Sequence, residues 1–163
     1  QDIFLFSDTI SKNIAFGKAN AQQDEIEEFA RYAAVYDDII DLKEGFNTMV
    51  GERGVTLSGG QKQRVSIARA LIKQPDIVIL DDCLSAVDTN TEQQILSYFN
   101  ESLSQTTAII ITHRIYSLLQ FDKIIVLEDG KIVEEGNHNE LLEKQGYYFD
   151  LFEKQRMEEA QNP

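Results

Sequence analysis

The chain has a single cysteine, Cys83, in 163 residues. One thiol forms no internal disulfide, and a reducing compartment fits. No apolar run approaches the length of a membrane span, and the first residues lack the basic-then-apolar order of a secretory signal. Any link to a membrane is therefore expected to come through another domain. Cations are scarce, with 15 Lys and Arg against 28 Asp and Glu and a formal net charge of -13. Phosphate backbones need clustered cations, so the charge argues against nucleic acid as a main ligand. The acids are spread along the chain and read as a solvated surface. The sequence G-x-x-x-x-G-K-[ST] is absent, so these residues lack the backbone cradle and the lysine that P-loop enzymes use for the β- and γ-phosphates. There is no internal repeat and no low-complexity segment.

What is present suffices for one domain: 42% of the residues are hydrophobic, enough for a sizeable core. The front reads as helical. Residues 8–16 form a short helix, capped by Ser7 or Asp8 and stopped by Gly17. Residues 23–42 have helical periodicity, with Ile26, Phe29, Ala30, Ala33 and Ile40 on one face. A Gly-containing loop covers 43–55. A helix over 60–73 buries Val65, Ala68, Leu71 and Ile72, and Pro75 marks its end.

The style then changes. Residues 76–81 are a continuous apolar run between two aspartates, as expected of a strand buried on both faces. Thr89, Asn90, Thr91 and Glu92 read as a capping box opening a helix that ends near Leu103. Residues 106–112 read as a second buried strand. Strands over 123–127 and 131–135 flank Asp129-Gly130, a hairpin signal, and helices over 138–145 and 147–160 close the chain around Gly146. Strands alternating with helices imply a parallel sheet, here with an antiparallel hairpin added.

Two places carry chemistry. The run Leu57-Ser58-Gly59-Gly60-Gln61-Lys62-Gln63-Arg64 sets a serine and two glycines at the start of an amphipathic helix. A helix N-terminus has unpaired N–H groups and about half a positive charge. Ser58 adds a hydroxyl donor, and Gly59 and Gly60 let an anion approach the backbone. The second place is the end of strand 76–81, which delivers Asp81 and Asp82 at its C-terminal edge, as P-loop ATPases do to hold Mg²⁺. Cys83 reads as a small core residue, because no basic residue adjoins it. His138, in a Gly-Asn-His-Asn turn, reads as a surface or capping residue.

The octapeptide resembles the signature motif of ATP-binding cassette (ABC) ATPases. Other segments fit that family in order. Gln1, followed by Asp-Ile-Phe-Leu-Phe-Ser and the exporter-like stretch 5–14, resembles the Q-loop. Residues 51–54 (Gly-Glu-Arg-Gly) resemble the X-loop of exporters, and 77–81 a Walker B strand. Ser85-Ala86-Val87-Asp88 resembles the D-loop, and His113 after Thr112 the switch histidine. The resemblance spans nearly all of the chain, from the Q-loop onward, without the phosphate loop or an upstream strand bearing an aromatic for adenine. It therefore implies an incomplete domain, as in a fragment or a split gene product.

The fold so implied is α/β: a helical subdomain over 1–73 and an incomplete RecA-like core over 74–163, with an exposed sheet edge. The implied ligands are ATP and Mg²⁺. Asp81 and Gln1 would act on the metal, and Asp82, His113 and Gln1 on catalysis. Ser58, Gly59, Gly60, Gln61, Ser85 and Asp88 would contact nucleotide, the signature residues reaching ATP held by a partner domain. Partners would be a second nucleotide-binding domain, and transmembrane domains met through residues 1–14 and 51–54. The location would be the cytoplasmic face of the cell membrane. The family places Glu where this chain has Asp82. A carboxylate set back by roughly 1 Å costs on the order of a hundredfold in rate. Asp82 therefore matches the hydrolysis-poor subunit of a heterodimeric exporter, a regulatory alternative to a working ATPase. A soluble, non-transport ABC ATPase is a further alternative, disfavoured by the X-loop and the exporter-like stretch.

Overall fold

A computed structural model describes residues 3–51, 56–84, 87–102, 106–115 and 121–161. The chain divides into two compact units, Gln1–Ile111 and Thr112–Pro163.

The first unit begins with helix α1 (Ile10–Ala15), capped by Thr9, whose hydroxyl accepts from the Lys12 N–H. The cap was expected at Ser7 or Asp8. Asp8 instead accepts the Thr9 N–H at 2.8 Å, one step outside the helix. Asn13 is fully buried and clips the preceding segment: its Oδ1 accepts from Phe6 N at 2.8 Å, and its Nδ2 donates to the Phe6 and Thr9 carbonyls at 3.0 Å.

The helix expected over 23–42 is two helices, α2 (Gln23–Tyr32) and α3 (Tyr36–Ile40). They part at Ala34, whose φ of 52° is left-handed. Val35 N–H closes the turn on the Ala30 carbonyl at 2.9 Å. The break rotates the second segment, so Ile39 is buried and Ile40, expected inside, is exposed.

After a 3₁₀ turn over Gly45–Asn47 comes helix α4 (Gly59–Leu71). It packs against α1 and α2 and buries Val65, Ala68 and Leu71, with Ile72 just past its end. Strand β1 (Ile77–Asp81) pairs in parallel with β2 (Thr107–Ile111), Ile79 opposite Ile109 and Asp81 opposite Ile111. Between them runs α5 (Thr89–Ser102), which meets α2 through stacked Tyr32 and Tyr98 rings 3.9 Å apart. The strands were expected to be buried on both faces. Only one face of β1 is covered: Leu80 is 4% exposed and Ile79 is 63% exposed. Ile77, Ile109 and Ile111 join Ile79 as exposed apolar side chains. A continuous apolar run does not report how many layers pack on it.

The second unit holds the antiparallel hairpin β3 (Ile124–Glu128) and β4 (Lys131–Gly136), with a register shift at Val126/Leu127. Asp129 and Gly130 form the left-handed turn. Helices α6 (His138–Lys144) and α7 (Tyr147–Gln161) follow. The Glu134 carboxylate receives the Tyr147 and Tyr148 N–H groups at 3.0 and 2.9 Å, capping α7 from β4. No helix among the described residues is long and apolar enough to cross a membrane.

Candidate functional site

The N-terminal end of α4 is built by its own sequence. Ser58 has extended φ and ψ of -62° and 163°, the geometry of an N-cap. Its Oγ accepts from Gln61 N at 3.2 Å, and Gln61 Oε1 accepts from Ser58 N at 3.0 Å, closing a reciprocal capping box. An accepting hydroxyl keeps its own proton, so Ser58 can still donate to a group outside the chain. The N–H groups that open a helix lack intrahelical acceptors and concentrate partial positive charge. Ser58 and Gly59 are both exposed.

Gly59 opens α4, and among the described residues no side chain or distant backbone crowds it. Its φ is not left-handed, and beyond the helix's own backbone and its chain neighbours a Cβ there would meet no atom of the described residues within 4 Å. Glycine in a helix costs about 1 kcal/mol relative to alanine.

The second predicted place lies in the same unit. Asp81 and Asp82 end β1, and both are exposed. Asp82 has a left-handed φ of 48°, a region that Asp tolerates better than most residues. Its N–H donates to Ile111 O at 2.9 Å, and its carbonyl accepts from Gln63 Nε2 of α4 at 3.4 Å. Gln63 thereby ties the signature helix to the turn after β1, a link no sequence pattern announced. Burial pushes the Cys83 thiol up to about 11, so it is protonated near neutral pH, in keeping with a packing residue.

Asp88 is the cap of α5. Its Oδ1 accepts from Asn90 N and Thr91 N at 3.1 Å, and its Oδ2 from the Thr91 hydroxyl at 2.7 Å. The helix expected to be capped from Thr89 is thus capped by the side chain one residue earlier. The Thr91 hydroxyl, with the Thr91 N–H, holds the Asp88 carboxyl below its ordinary value.

His113 lies in the second unit and is exposed. Its carbonyl accepts from Gln155 Nε2 of α7 at 2.6 Å, and Gln155 Oε1 accepts from Ile115 N at 2.7 Å. One glutamine side chain therefore grips the backbone on both sides of Arg114. Gln155 lies 42 residues from His113, and nothing in its neighbourhood in the chain signals that role. His138 is half-buried, its Nδ1 2.7 Å from the Tyr148 hydroxyl. Asn137, not His138, caps α6. Gln1, Ser85 and residues 52–54 lie outside the described residues. A cavity of about 460 Å³ is lined by Ile3, Phe4, Leu5, Val50, Gly51 and Lys62, among others.

The family model described as ABC transporter matches residues 1–85. The chain is 52% identical to the multidrug resistance-like ATP-binding protein MdlA of Escherichia coli strain K12 over 160 residues, 98% of the chain and 27% of that protein. It is 45% identical to the ATM1-type heavy metal exporter of Novosphingobium aromaticivorans, over 99% of the chain and 26% of the exporter. Among solved structures, a bacterial Atm1-family ABC exporter with ATP bound superposes with a TM-score of 0.86 at 45% identity, over 95% of the chain and 27% of the exporter. The chain thus spans about a quarter of the length of the relatives it matches.

Proposed function

The chain belongs to the ABC transporter family, among the ATP-binding proteins of its exporters, and from that premise we propose that it serves as an ATP-binding and ATP-hydrolysing domain that drives export. Its helical signature part is assigned to residues 1–73 and its partial RecA-like core to 74–163. Two such domains sandwich two ATP molecules. The observation that carries this reading is the capped end of α4, with Ser58 exposed at the cap and open space among the described residues at Gly59.

In this reading Ser58, Gly59 and Gly60 bind the phosphates of ATP held by the partner domain. Gln61 belongs to the same end, and its carbonyl oxygen keeps Ser58 in cap geometry. Asp81 holds Mg²⁺, and Asp82 orients the attacking water. Two adjacent carboxylates facing solvent suit this ion, which takes one or two carboxylates alongside waters and phosphates. When bound, the metal neutralises charge on the transferring phosphoryl group. His113 contacts the γ-phosphate, Gln1 the metal and water, and Ser85 and Asp88 the partner's site. Residues 1–14 and 51–54 face the transmembrane domains at the cytoplasmic side. The chain alone, without a phosphate-loop sequence, is expected to turn over no ATP and to bind it weakly. Micromolar Mg-ATP binding to the monomer in isothermal titration would sink that expectation.

Ser58→Asp tests the central reading. Asp caps a helix as well as Ser does, so stability should hold, but it sets a negative charge where a phosphate must come. ATP turnover of the intact dimer should fall about a hundredfold or more. Turnover within twofold of the parent would remove α4 from the nucleotide site.

Asp82 supports a second reading, a subunit that binds nucleotide and regulates a competent partner. Asp82→Glu in a complex whose partner site is disabled should raise basal hydrolysis. No rise would show that the shorter side chain is not the reason for low turnover. The left-handed backbone at 82 disfavours Glu by about 1 kcal/mol, which works against the gain without abolishing it.

A further inference from the structure

The capping box on α4 is itself held from outside the helix. Gln61 accepts from Ser58 N through Oε1, and its Nε2 donates to Asp38 Oδ1 on α3 at 2.9 Å. The other Asp38 oxygen, Oδ2, accepts from Arg64 Nη1 at 2.7 Å. Arg64, one turn further along α4, donates as well to the Ala34 carbonyl and, at 3.3 Å, to Gly60 O. Its side chain is 13% exposed and that of Asp38 33%. One carboxylate thus joins α3 to both polar side chains that follow Ser58 on the inner side of α4. Ala34, the left-handed residue between α2 and α3, is held through its carbonyl by the same arginine.

We propose that Asp38 is a positioning residue for the phosphate-reading end of α4: through Gln61 it sets the direction in which the Ser58 hydroxyl and the first N–H groups point. The proposal rests on the reading of that end as a nucleotide site. Its physical content is preorganisation. An unrestrained glutamine side chain samples several rotamers, and only one closes the box on Ser58 N. Asp38 selects that rotamer, because its two oxygens meet two donors that lie one helical turn apart. Asn in its place has one accepting oxygen and one amino group, so one of the two donors faces a donor. Glu is a methylene longer and cannot meet both donors from the same backbone position.

The experiment has two arms. In the chain itself, amide hydrogen exchange of Gln61, whose N–H goes to Ser58 Oγ, is measured in the parent and in Asp38→Asn. Gln61→Met removes the same link from the other end and serves if Asp38→Asn does not fold. In the intact ATPase dimer, kcat and KM are measured for the same variants. The expected results are exchange about tenfold faster, kcat lowered about tenfold with KM for ATP within about twofold, and no further loss when Asp38→Asn is added to Gln61→Met. Unchanged exchange overturns the proposal, as does faster exchange with unchanged kcat. Full additivity of the two substitutions overturns it too, because Asp38 then does not act through Gln61. Ser58→Asp runs beside them. If it leaves turnover intact, the nucleotide reading itself fails. If it abolishes turnover while Asp38→Asn does not lower it, only the role of Asp38 fails.

Discussion

The N-terminal end of α4 and the C-terminal end of β1 both turn polar groups outward, but they are supported in opposite ways. At α4, hydrogen bonds inside the chain hold the site from behind: Ser58 to Gln61, Gln61 to Asp38, Asp38 to Arg64 and Arg64 to the Ala34 carbonyl. At β1, Asp81 and Asp82 stand at the end of a two-stranded sheet with one apolar face packed and the other open. The first site is held by a relay of side-chain hydrogen bonds, the second by Val78 and Leu80 packed on the covered face and by backbone bonds of Asp82 to Ile111 and Gln63. A substitution on the β1 strand should therefore matter by its face, and one at the α4 end by whether it points outward or toward α3.

The sharpest break in this comparison is along β1. Leu80→Ala should cost about 2–5 kcal/mol in denaturant unfolding, whereas Ile79→Ser, its neighbour on the open face, should stay within about 0.5 kcal/mol. Ile79→Ser should also reduce self-association in sedimentation, since it interrupts a contiguous apolar patch. Equal costs at the two positions would mean that the open face is covered in solution.

At α4 the corresponding probe is Gly59→Val. The Cβ position is empty space within the chain, so the melting temperature should barely move, while turnover of the intact dimer should drop about a hundredfold. A large loss of stability with little loss of turnover would reverse the assignment of Gly59 to an outside ligand.

A smaller effect is expected at the corner that Arg64 grips. Ala34→Gly relieves a left-handed φ and should stabilise the chain by about 0.5–1 kcal/mol, the gain being trimmed by the extra freedom of glycine in the unfolded state. The least effect is expected at the α5 cap. Asp88 has its carboxyl held below the ordinary value by Thr91 and Asn90. A depressed pKa contributes stability above the unfolded value, near 4, and loses it as pH falls through the folded value. The difference in melting temperature between the parent and Asp88→Asn should therefore shrink below about pH 4. A difference that grows on acidification would remove the charged cap.

The start of α4 is legible in the sequence because its determinants lie within one helical turn. Ser58 and Gln61 are three residues apart, as a capping box requires, and the glycines stand between them. The hairpin turn at Asp129-Gly130 was equally local. Mistakes came where local pattern underdetermined packing. The periodicity over 23–42 does not register that Ala34 turns left-handed, which buries Ile39 and leaves Ile40 exposed. Thr9 and Asp88, not their neighbours, proved to be caps, because several adjacent polar residues compete for one helix end.

The amino-acid sequence by itself determined the family, the start of α4 after Ser58 and the strand that delivers Asp81, since each depends on residue type and short spacing. Tertiary structure decided the rest. Gln61 is paired with a residue 23 positions earlier, Gln155 grips the backbone around Arg114, and the β1–β2 sheet is covered on one face alone. These outcomes depend on which distant surfaces meet in the folded chain, and no local pattern of residues encodes that meeting.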